Sequence, residues 1–373
     1  MITLAGSADP MTRAISLAQS ALGSTSPNPA VGAVIVGETG VVGEGFTLPP
    51  GQAHAEVGAL QQAGPSAQGA TLYCTLEPCC HYGRTPPCTD AIIAAGIARV
   101  VYAVTDPNPR VSGGGAAALR AAGIEVEHRP NPTAETLYEA FAKHVTTGMP
   151  FVVAKFAMSL DGKIATRTGD SQWITGPDAR ARVQQMRKEL DGIMVGIGTV
   201  LADDPLLTAR DDLGEPLPVN LQPLRVVVDS DARTPPGARM LRQPGRTLIA
   251  TSVASDPSRC TALQDAGAEV LSFPGTDGRV NLSGLLERLG QQGTVSLLVE
   301  GGGAVLGTML DARLIDKVAV FLGPMLIGGA AARSPIEGAG ATTMADVLRL
   351  ERTTTEAIGP DWLITGYPAG GGD

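Results

Sequence analysis

Two spacings of apolar residues alternate along the chain and predict its secondary structure. Apolar side chains recur every three to four positions at Met11, Ile15, Ala18 and Leu22, which is the spacing of one face of a helix. Elsewhere, short runs rich in valine and isoleucine are bounded by glycine or proline, as expected for buried strands. Because the two kinds of segment alternate, the pattern predicts an α/β protein whose sheets lie between helices.

In the first part of the chain, turn residues separate the predicted elements. Asp9-Pro10 begins the first helix with a capping carboxylate and a proline at the first helical position. Further helices are predicted at 57–63, 89–95, 116–122 and 134–144. Strands are predicted at 30–36, 41–46, 71–76, 99–104 and 124–127.

A Thr-Thr-Gly turn before Pro150 predicts a domain boundary, with one domain at 1–147 and a second at 148–373. Helices in the second domain are predicted at 177–190, 258–266, 282–291 and 304–312. Strands are predicted at 151–157, 193–197, 225–229, 247–251, 295–300 and 318–322. The last two predicted strands, 353–358 and 362–366, flank Gly359-Pro360 and should form an antiparallel hairpin.

The composition and charge of the chain narrow the class of protein. The chain has 373 residues, of which 43% are hydrophobic and 17% charged, which suits two packed domains rather than a disordered chain. A net charge of −9 without a basic cluster disfavours nucleic acid as the main partner. We find no apolar run long enough for a membrane span and no signal peptide. Five cysteines, most of them close together, suggest metal ligation in a reducing cytoplasm rather than disulfides.

The strongest chemical signal is a set of zinc ligands, His54, Cys79 and Cys88, with Glu56 two residues after the histidine. An imidazole and two thiolates suit tetrahedral zinc, and three protein ligands leave the fourth position open for water. A nearby carboxylate can move protons to and from that water. His-x-Glu followed by Pro-Cys and a second Cys is the pattern of zinc-dependent deaminases of nucleobase-like rings. Eight residues separate Cys79 from Cys88 instead of the usual two, which predicts an inserted loop at the metal site.

Other interpretations of this region remain open. The zinc could be structural, with Cys80 as a fourth thiolate, although adjacent residues of an extended chain point in opposite directions. Cys74 lies inside a predicted strand and is expected to be a small core residue. Asn28 stands between two prolines and is either a turn residue or an amide that recognises the substrate ring. Both metal-binding stretches lie where a helix begins, and the helix dipole there favours thiolates.

In the second domain, the segment Gly301-Gly302-Gly303-Ala304 lies between a predicted strand and a predicted helix. Glycines at a helix N-terminus let a phosphate approach the backbone. The segment is not a dinucleotide-binding fingerprint, because Leu306 occupies the place of the third glycine. By itself it is equally compatible with an ordinary turn.

Taken together, the motifs resemble the bifunctional deaminase/reductase family of riboflavin biosynthesis. The matching segments are 25–34, 54–56, 77–88, 105–109, 157–165, 169–174, 198–205 and 299–302. The resemblance implies a cytidine-deaminase-like α/β/α sandwich followed by a dihydrofolate-reductase-like α/β domain. It also implies hydrolytic, zinc-dependent deamination of 2,5-diamino-6-ribosylamino-4(3H)-pyrimidinone 5′-phosphate. NADPH would then reduce the ribosyl side chain of the product to a ribityl group.

The resemblance also implies roles for individual residues. Zinc would be held by His54, Cys79 and Cys88, and Glu56 would transfer protons. Substrate contacts would come from Asn28, His81, Arg84, Ser171, Arg187, Leu207, Arg210 and Glu300. NADPH contacts would come from Ala157, Trp173, Thr199, Asp203, Ser230, Gly302, Gly303, Ala304, Val305, Leu306, Gly307 and Thr308. The ionisable candidates for polarising or protonating the imine are Lys155, Asp203 and Glu300.

Structural or non-catalytic alternatives exist for several of these assignments. Arg84 is also compatible with a solvated surface charge, and Lys155 and Glu300 with structural ion pairs. The whole chain is also compatible with a monofunctional deaminase whose second domain is not catalytic, or with a binding module built around structural zinc. We expect a small phosphorylated pyrimidine as substrate, no nucleic acid or membrane partner, and a cytoplasmic homo-oligomer.

Overall fold

The computed structural model describes residues 9–109, 111–275 and 277–370. The chain divides into two compact units between Gly148 and Met149, each built on one sheet. Of the helices within these residues, none combines the length and the apolar character that a membrane-spanning segment requires.

The N-terminal unit contains one five-stranded sheet. Its strands are β1 (Gly32–Gly37), β2 (Gly40–Phe46), β3 (Thr71–Leu76), β4 (Arg99–Val104) and β5 (Glu125–His128). Their order is β2-β1-β3-β4-β5, in which β1 is antiparallel to both neighbours and β3, β4 and β5 are parallel. The helices are α1 (Pro10–Ala21), α2 (Ala55–Ala63), α3 (Cys88–Ala94), α4 (Gly114–Ala121) and α5 (Pro132–Thr147), with a 3-10 turn at Gly64–Ala67.

Helices cover both faces of this sheet because alternate strand residues enter different cores. On β1, Val34 packs in one cluster with Met11 of α1, whereas Ala33 and Ile35 pack in the other with residues of α2. The predicted α/β/α sandwich is therefore confirmed. The first helix ends at Ala21, so Leu22, which we expected on its apolar face, is the residue that follows the helix.

Two glycines of β2 allow α2 to pack directly against the sheet. A Cβ atom at Gly43 would lie 2.2 Å from the carbonyl oxygen of Ala59, and one at Gly45 would lie 2.2 Å from that of Ala55. No larger residue fits at either position without moving the helix. This close approach fixes the start of α2, where the predicted zinc ligand His54 and Glu56 are located.

The C-terminal unit contains one nine-stranded sheet. Its strands are β6 (Phe151–Ser159), β7 (Gly192–Gly196), β8 (Leu224–Val228), β9 (Thr247–Thr251), β10 (Glu269–Ser272), β11 (Ser296–Glu300), β12 (Lys317–Gly323), β13 (Leu350–Ile358) and β14 (Asp361–Pro368). Their order is β10-β9-β8-β7-β11-β6-β12-β14-β13, parallel from β10 to β12. The predicted C-terminal hairpin is confirmed as β13 and β14, which extend the sheet with antiparallel pairing.

Helices also cover both faces of the larger sheet. They are α6 (Pro177–Glu189), α7 (Ile197–Asp203), α8 (Pro257–Asp265), α9 (Leu282–Gln291) and α10 (Gly303–Asp311), with 3-10 turns at Val219–Leu221 and Arg239–Arg242. Residues of α9 and α10 share one core with the sheet, and residues of α7 and α8 share the other. Parallel strands buried on both faces account for the continuous apolar runs in the sequence.

Two elements were not predicted. The helix α7 begins directly after β7, and Ile197, which we expected to end the strand, is its first residue. A helix of seven residues has too few turns to show a helical period against the preceding apolar run. The strand β10 has four residues and no fully buried position, so its sequence carries little strand signal.

Candidate active sites

The three predicted zinc ligands meet at one point of the N-terminal unit. His54 directly precedes α2, Cys79 follows β3, and Cys88 is the first residue of α3. Their ligand atoms all lie within 4.8 Å of one another. The Nδ1 atom of His54 lies 3.7 Å from the Sγ of Cys79 and 3.3 Å from the Sγ of Cys88.

These separations fit a tetrahedral zinc ion. Zinc binds imidazole nitrogen at about 2.0–2.1 Å and thiolate sulfur at about 2.3 Å, which places two such ligands about 3.6 Å apart at the tetrahedral angle. The other ring nitrogen of His54, Nε2, lies 3.2 Å from the Oγ1 of Thr85 in the inserted loop. Such a contact selects the tautomer that leaves Nδ1 free for the metal.

The two remaining cysteines of this region do not join the cluster. Cys80 lies beside Gly114, where an added Cβ would come within 2.9 Å of its Sγ, and Cys74 is fully buried in the core of β3. The described residues therefore bring three protein ligands together, as in a catalytic zinc site, rather than the four of a closed structural site.

Glu56 lies beside the ligand cluster in a buried position. Its side chain is only 4% exposed, and burial, reinforced by the charge of Cys79, raises the pKa of Glu56 to about 7. A carboxyl group with a pKa near neutrality exchanges protons in both directions at physiological pH. This property suits the proton-transfer role that the sequence predicts.

A cavity of about 310 Å³ lies over the ligand cluster. All three predicted substrate contacts of this unit, Asn28, His81 and Arg84, line it. Among the lining side chains that sequence analysis did not predict as substrate contacts are Asp106, Asn108 and His144. Asp106 and Asn108 belong to segment 105–109, which resembles the family and could have identified them. Nothing in the local sequence singles out His144.

The segment that carries Asp106 and Asn108 is fixed by a buried carboxylate. Glu77 is 2% exposed and accepts hydrogen bonds from the backbone amides of Asp106, Gly113 and Ala116 at 3.3, 2.9 and 2.9 Å. Gly115 is so close that an added Cβ would lie 1.9 Å from the carbonyl oxygen of Pro78. Glu77 thus joins this wall of the cavity to the strand end that carries Cys79.

The C-terminal unit contains a larger cavity of about 1330 Å³ at the carboxyl ends of its central strands. The predicted residues that line it are Lys155, Ala157, Ser171, Trp173, Arg187, Thr199, Asp203, Leu207, Arg210, Ser230, Glu300, Gly302, Gly303, Ala304, Val305 and Thr308. Leu306 and Gly307 do not line it, because 303–311 is helical and these two positions face the protein interior.

The turn before α10 suits a phosphate group. A Cβ at Gly302 would lie 3.4 Å from the backbone nitrogen of Gly196 and 3.5 Å from the Oγ1 of Thr199, and Gly302 has a positive φ of 82°. The positive φ favours glycine, and the absence of a side chain leaves the helix N-terminus open to an anion. The size of the cavity and this turn fit a dinucleotide such as NADPH.

Three ionisable side chains meet on the sheet at the base of this cavity. Lys155 and Glu300 are register partners on the adjacent strands β6 and β11. The guanidinium of Arg187 binds both carboxylate oxygens of Glu300, at 2.6 and 2.7 Å. Burial alone would raise the pKa of Glu300, but the charge and hydrogen bonds of Arg187, together with the charge of Lys155, outweigh it and hold the pKa below its usual value. Burial lowers the pKa of Lys155.

Asp203, the last residue of α7, is the third predicted ionisable group of the cavity. Partial burial raises the pKa of its carboxyl group.

Arg187, predicted as a substrate contact, is paired with Glu300 and also donates to the carbonyl oxygen of Thr208 at 3.3 Å. Its first role is therefore to fix the carboxylate of Glu300.

Two family models match the chain. Residues 7–104 match the cytidine and deoxycytidylate deaminase zinc-binding region, and residues 150–364 match the RibD C-terminal domain. The chain is 43% identical over 359 residues to the riboflavin biosynthesis protein RibD of Actinobacillus pleuropneumoniae, which covers 95% of this chain and 94% of the relative. It is also 43% identical over 359 residues to RibD of Escherichia coli, with 94% and 96% covered.

Solved structures give the same result. RibD of Acinetobacter baumannii, form 1, superposes with a TM-score of 0.84 at 39% identity, over 96% of this chain and 98% of that one. A diaminohydroxyphosphoribosylaminopyrimidine deaminase/5-amino-6-(5-phosphoribosylamino)uracil reductase from Thermotoga maritima superposes with a TM-score of 0.82 at 35% identity, over 96% and 97% of the two chains.

Proposed function

The chain belongs to the RibD family of riboflavin biosynthesis proteins, and on that basis we propose which of its residues carry each of two reactions. It combines a zinc-dependent deaminase with an NADPH-dependent reductase, so the predicted family, fold class and bifunctional activity are confirmed. The single observation that supports the deaminase assignment best is the convergence of His54, Cys79 and Cys88 beside the buried Glu56.

For the first reaction we propose 2,5-diamino-6-ribosylamino-4(3H)-pyrimidinone 5′-phosphate as the substrate. The Thermotoga relative is described as a deaminase of a phosphoribosylaminopyrimidine, which supports this choice. The cavity wall supports it as well, since Arg84 and His81 supply donors for a phosphate ester and Asn28 an amide for the ring.

In the deaminase unit, the residues of the chain hold the metal and move protons. Bound zinc supplies Lewis-acid activation of water, and bound NADPH supplies the reducing equivalents of the second reaction. Glu56 accepts a proton from the attacking water and delivers it to the departing amino group, which leaves as ammonia. The second proton of the water passes to the neighbouring ring nitrogen, and the water oxygen becomes the new carbonyl oxygen, so atoms and charge balance. When His54 binds the metal through Nδ1, its Nε2–H is placed to donate to the hydroxyl of Thr85, 3.2 Å away.

In the reductase unit, we propose that Lys155 and Glu300 act on the opened ribosylamine of the deaminated product. This group reacts as an imine, whose carbon accepts hydride and whose nitrogen accepts a proton. The lowered pKa makes protonated Lys155 a better acid, so its Nζ is suited to supply that proton. Arg187 keeps Glu300 ionised, and the carboxylate orients the ammonium group beside it.

The remaining candidates of the second cavity fall into two groups. We propose that Ala157, Trp173, Thr199, Asp203, Ser230 and the start of α10 bind NADPH. Ser171, Leu207 and Arg210 would contact the substrate and its phosphate. Trp173 is exposed and carries the guanidinium of Arg180 over its ring at 4.5 Å, which holds the indole at the cavity mouth.

A coupled assay of the intact chain tests this function. With the proposed substrate, zinc and NADPH, ammonia release should precede NADPH oxidation, and each mole of ammonia should be followed by one of oxidised cofactor. NADPH oxidation should also occur when deaminated product is supplied alone. Ammonia release without any NADPH oxidation would favour the monofunctional alternative, against which the intact Lys155, Glu300 and Arg187 cluster argues.

We further propose that the protein is a cytoplasmic homo-oligomer that does not bind nucleic acid. None of the five cysteines, all of which the structure describes, forms a disulfide, which suits a reducing compartment. The negative net charge disfavours nucleic acid. Leu326 and Met344, exposed at 76% and 75%, are large apolar side chains that a second copy would cover if it bound there. Light scattering of the purified protein should give a mass of at least two chains.

A further inference from the structure

His144 stands out among the four histidines of the chain. It lies in the last turn of α5, lines the deaminase cavity, and is half-buried. Its Nδ1 atom is buried and has no hydrogen-bond partner among the residues that the structure describes. By contrast, both ring nitrogens of His54 have contacts, and the Nε2 of His128 lies 3.2 Å from the carbonyl oxygen of Ala103.

The unpaired Nδ1 atom of His144 indicates that a bound ligand supplies the missing hydrogen-bond partner. Buried nitrogen atoms in proteins nearly always have a hydrogen-bond partner, and leaving one without a partner destabilises the fold. The neighbours of His144 that also line the cavity on α5, Phe141 and Val145, are apolar and offer no partner. The ring of His144 lines the cavity, so a polar group of a bound ligand can reach it from there.

The basic side chains that line the cavity support the same conclusion. Apart from the zinc ligand, the lining side chains that can donate from a basic group are His81, Arg84 and His144. His81 and Arg84 belong to the inserted loop, whereas His144 comes from a rigid helix about sixty positions later in the chain. A cavity of about 310 Å³ is small enough for one phosphorylated pyrimidine to touch walls formed by both.

We propose that His144 is a substrate-binding residue of the deaminase, whose ring forms a hydrogen bond with the bound phosphorylated ribosylaminopyrimidine. The inference rests on the deaminase function proposed above and adds to it a contact outside the metal-binding and loop motifs. The loop provides the guanidinium of Arg84 and the ring of His81, and α5 provides one further donor or acceptor from a helix.

Kinetics of two substitutions test the proposal. His144→Phe keeps a ring of similar size against Phe141 and Val145 but removes both nitrogens. It should raise the KM of the deaminase about ten-fold or more, the usual effect of losing a hydrogen bond to a polar or charged ligand, while kcat changes little. His144→Gln, which keeps hydrogen-bonding atoms on a flexible chain, should restore part of the loss.

The controls separate binding from folding. Zinc content and the reductase constants, measured with deaminated product, should stay at wild-type values in both variants. His128→Phe removes an exposed histidine that does not line the cavity and should leave the deaminase KM unchanged. In a Glu56→Gln background, calorimetry should show the same weakening of substrate affinity on adding His144→Phe.

Two results would overturn the inference. The first is an unchanged deaminase KM and substrate affinity in His144→Phe, which would leave the deaminase function itself intact. The second is a fall in zinc content or kcat with no change in KM, because that pattern shows a packing role. If the wild-type chain released no ammonia at all, the proposed function would fail instead.

Discussion

Replacing Glu77 with alanine tests whether a buried carboxylate positions one wall of the deaminase cavity. The substitution removes the acceptor for three backbone amides, those of Asp106, Gly113 and Ala116. An amide left buried without an acceptor costs about 1–3 kcal/mol, so the three together should destabilise the segment by about 3 kcal/mol or more. The segment has no room to collapse onto the vacated space, since Gly115 already touches Pro78.

Hydrogen exchange followed by mass spectrometry measures this effect locally, without assuming that two units unfold as one. A loss of about 3 kcal/mol corresponds to roughly a hundred-fold faster exchange in peptides that span 106–116. Because Asp106 and Asn108 lie on that segment and line the cavity, the KM of the deaminase should rise as well. Glu77→Gln keeps one acceptor oxygen and should give intermediate values of both.

The matched control is Glu38→Ala, which removes an exposed glutamate from the turn between β1 and β2. It should leave exchange of 106–116 and both activities unchanged. The reasoning is refuted if Glu77→Ala exchanges 106–116 at the wild-type rate and keeps the wild-type KM. A general loss of protection across the C-terminal unit would also contradict it, because Glu77 has no described contact there.

Three further predictions follow from the two sites. Glu56→Gln should retain zinc, measured by metal analysis, and abolish ammonia release, because the amide does not accept the proton; turnover by a metal-replete variant would contradict the mechanism. Removing zinc with a chelator should stop ammonia release. NADPH oxidation with supplied deaminated product should continue, and loss of both activities would show that zinc is needed for the folding of both units. Lys155 must be protonated to act as an acid, and burial lowers its pKa, so reductase kcat should fall as pH rises through a value below about 10.5. A reductase kcat that stays constant up to that pH, or a Lys155→Met variant of wild-type activity, would exclude the proposed role.

The ion pair in the reductase cavity was not predicted from the sequence. The resemblance assigned Arg187 and Glu300 to the substrate as separate contacts. The structure places them in a bidentate ion pair, with Lys155 on the neighbouring strand. The two residues, one on α6 and one on β11, are more than a hundred positions apart, so only the tertiary fold brings them together.

Helical geometry likewise decided which residues of 302–308 line the reductase cavity. A sequence motif treats consecutive residues alike, and all seven were predicted to meet NADPH. Because 303–311 is an α-helix, successive positions turn by about 100°, and positions Leu306 and Gly307 face inward. The residues at the start of the helix keep their predicted place.

The sequence by itself determined the chemistry at the zinc site and the order of the main elements. His54, Glu56, Cys79 and Cys88 follow a recognisable spacing, and each lies at the end of an element that its local apolar pattern predicts. Both signals are carried by residues close to one another in the chain. Both signals can be recognised in the sequence because ligand type, capping and periodicity are local properties.

Only the tertiary structure decided what surrounds that chemistry. The contacts of Glu77 with 106–116, the place of His144 on the cavity wall and the pairing of Arg187 with Glu300 join segments far apart in the chain. No local pattern encodes such contacts, because they depend on how helices and strands pack once the apolar cores form. The inserted loop between Cys79 and Cys88 and the helix α5 were both predicted from the sequence, but not that they line the same cavity.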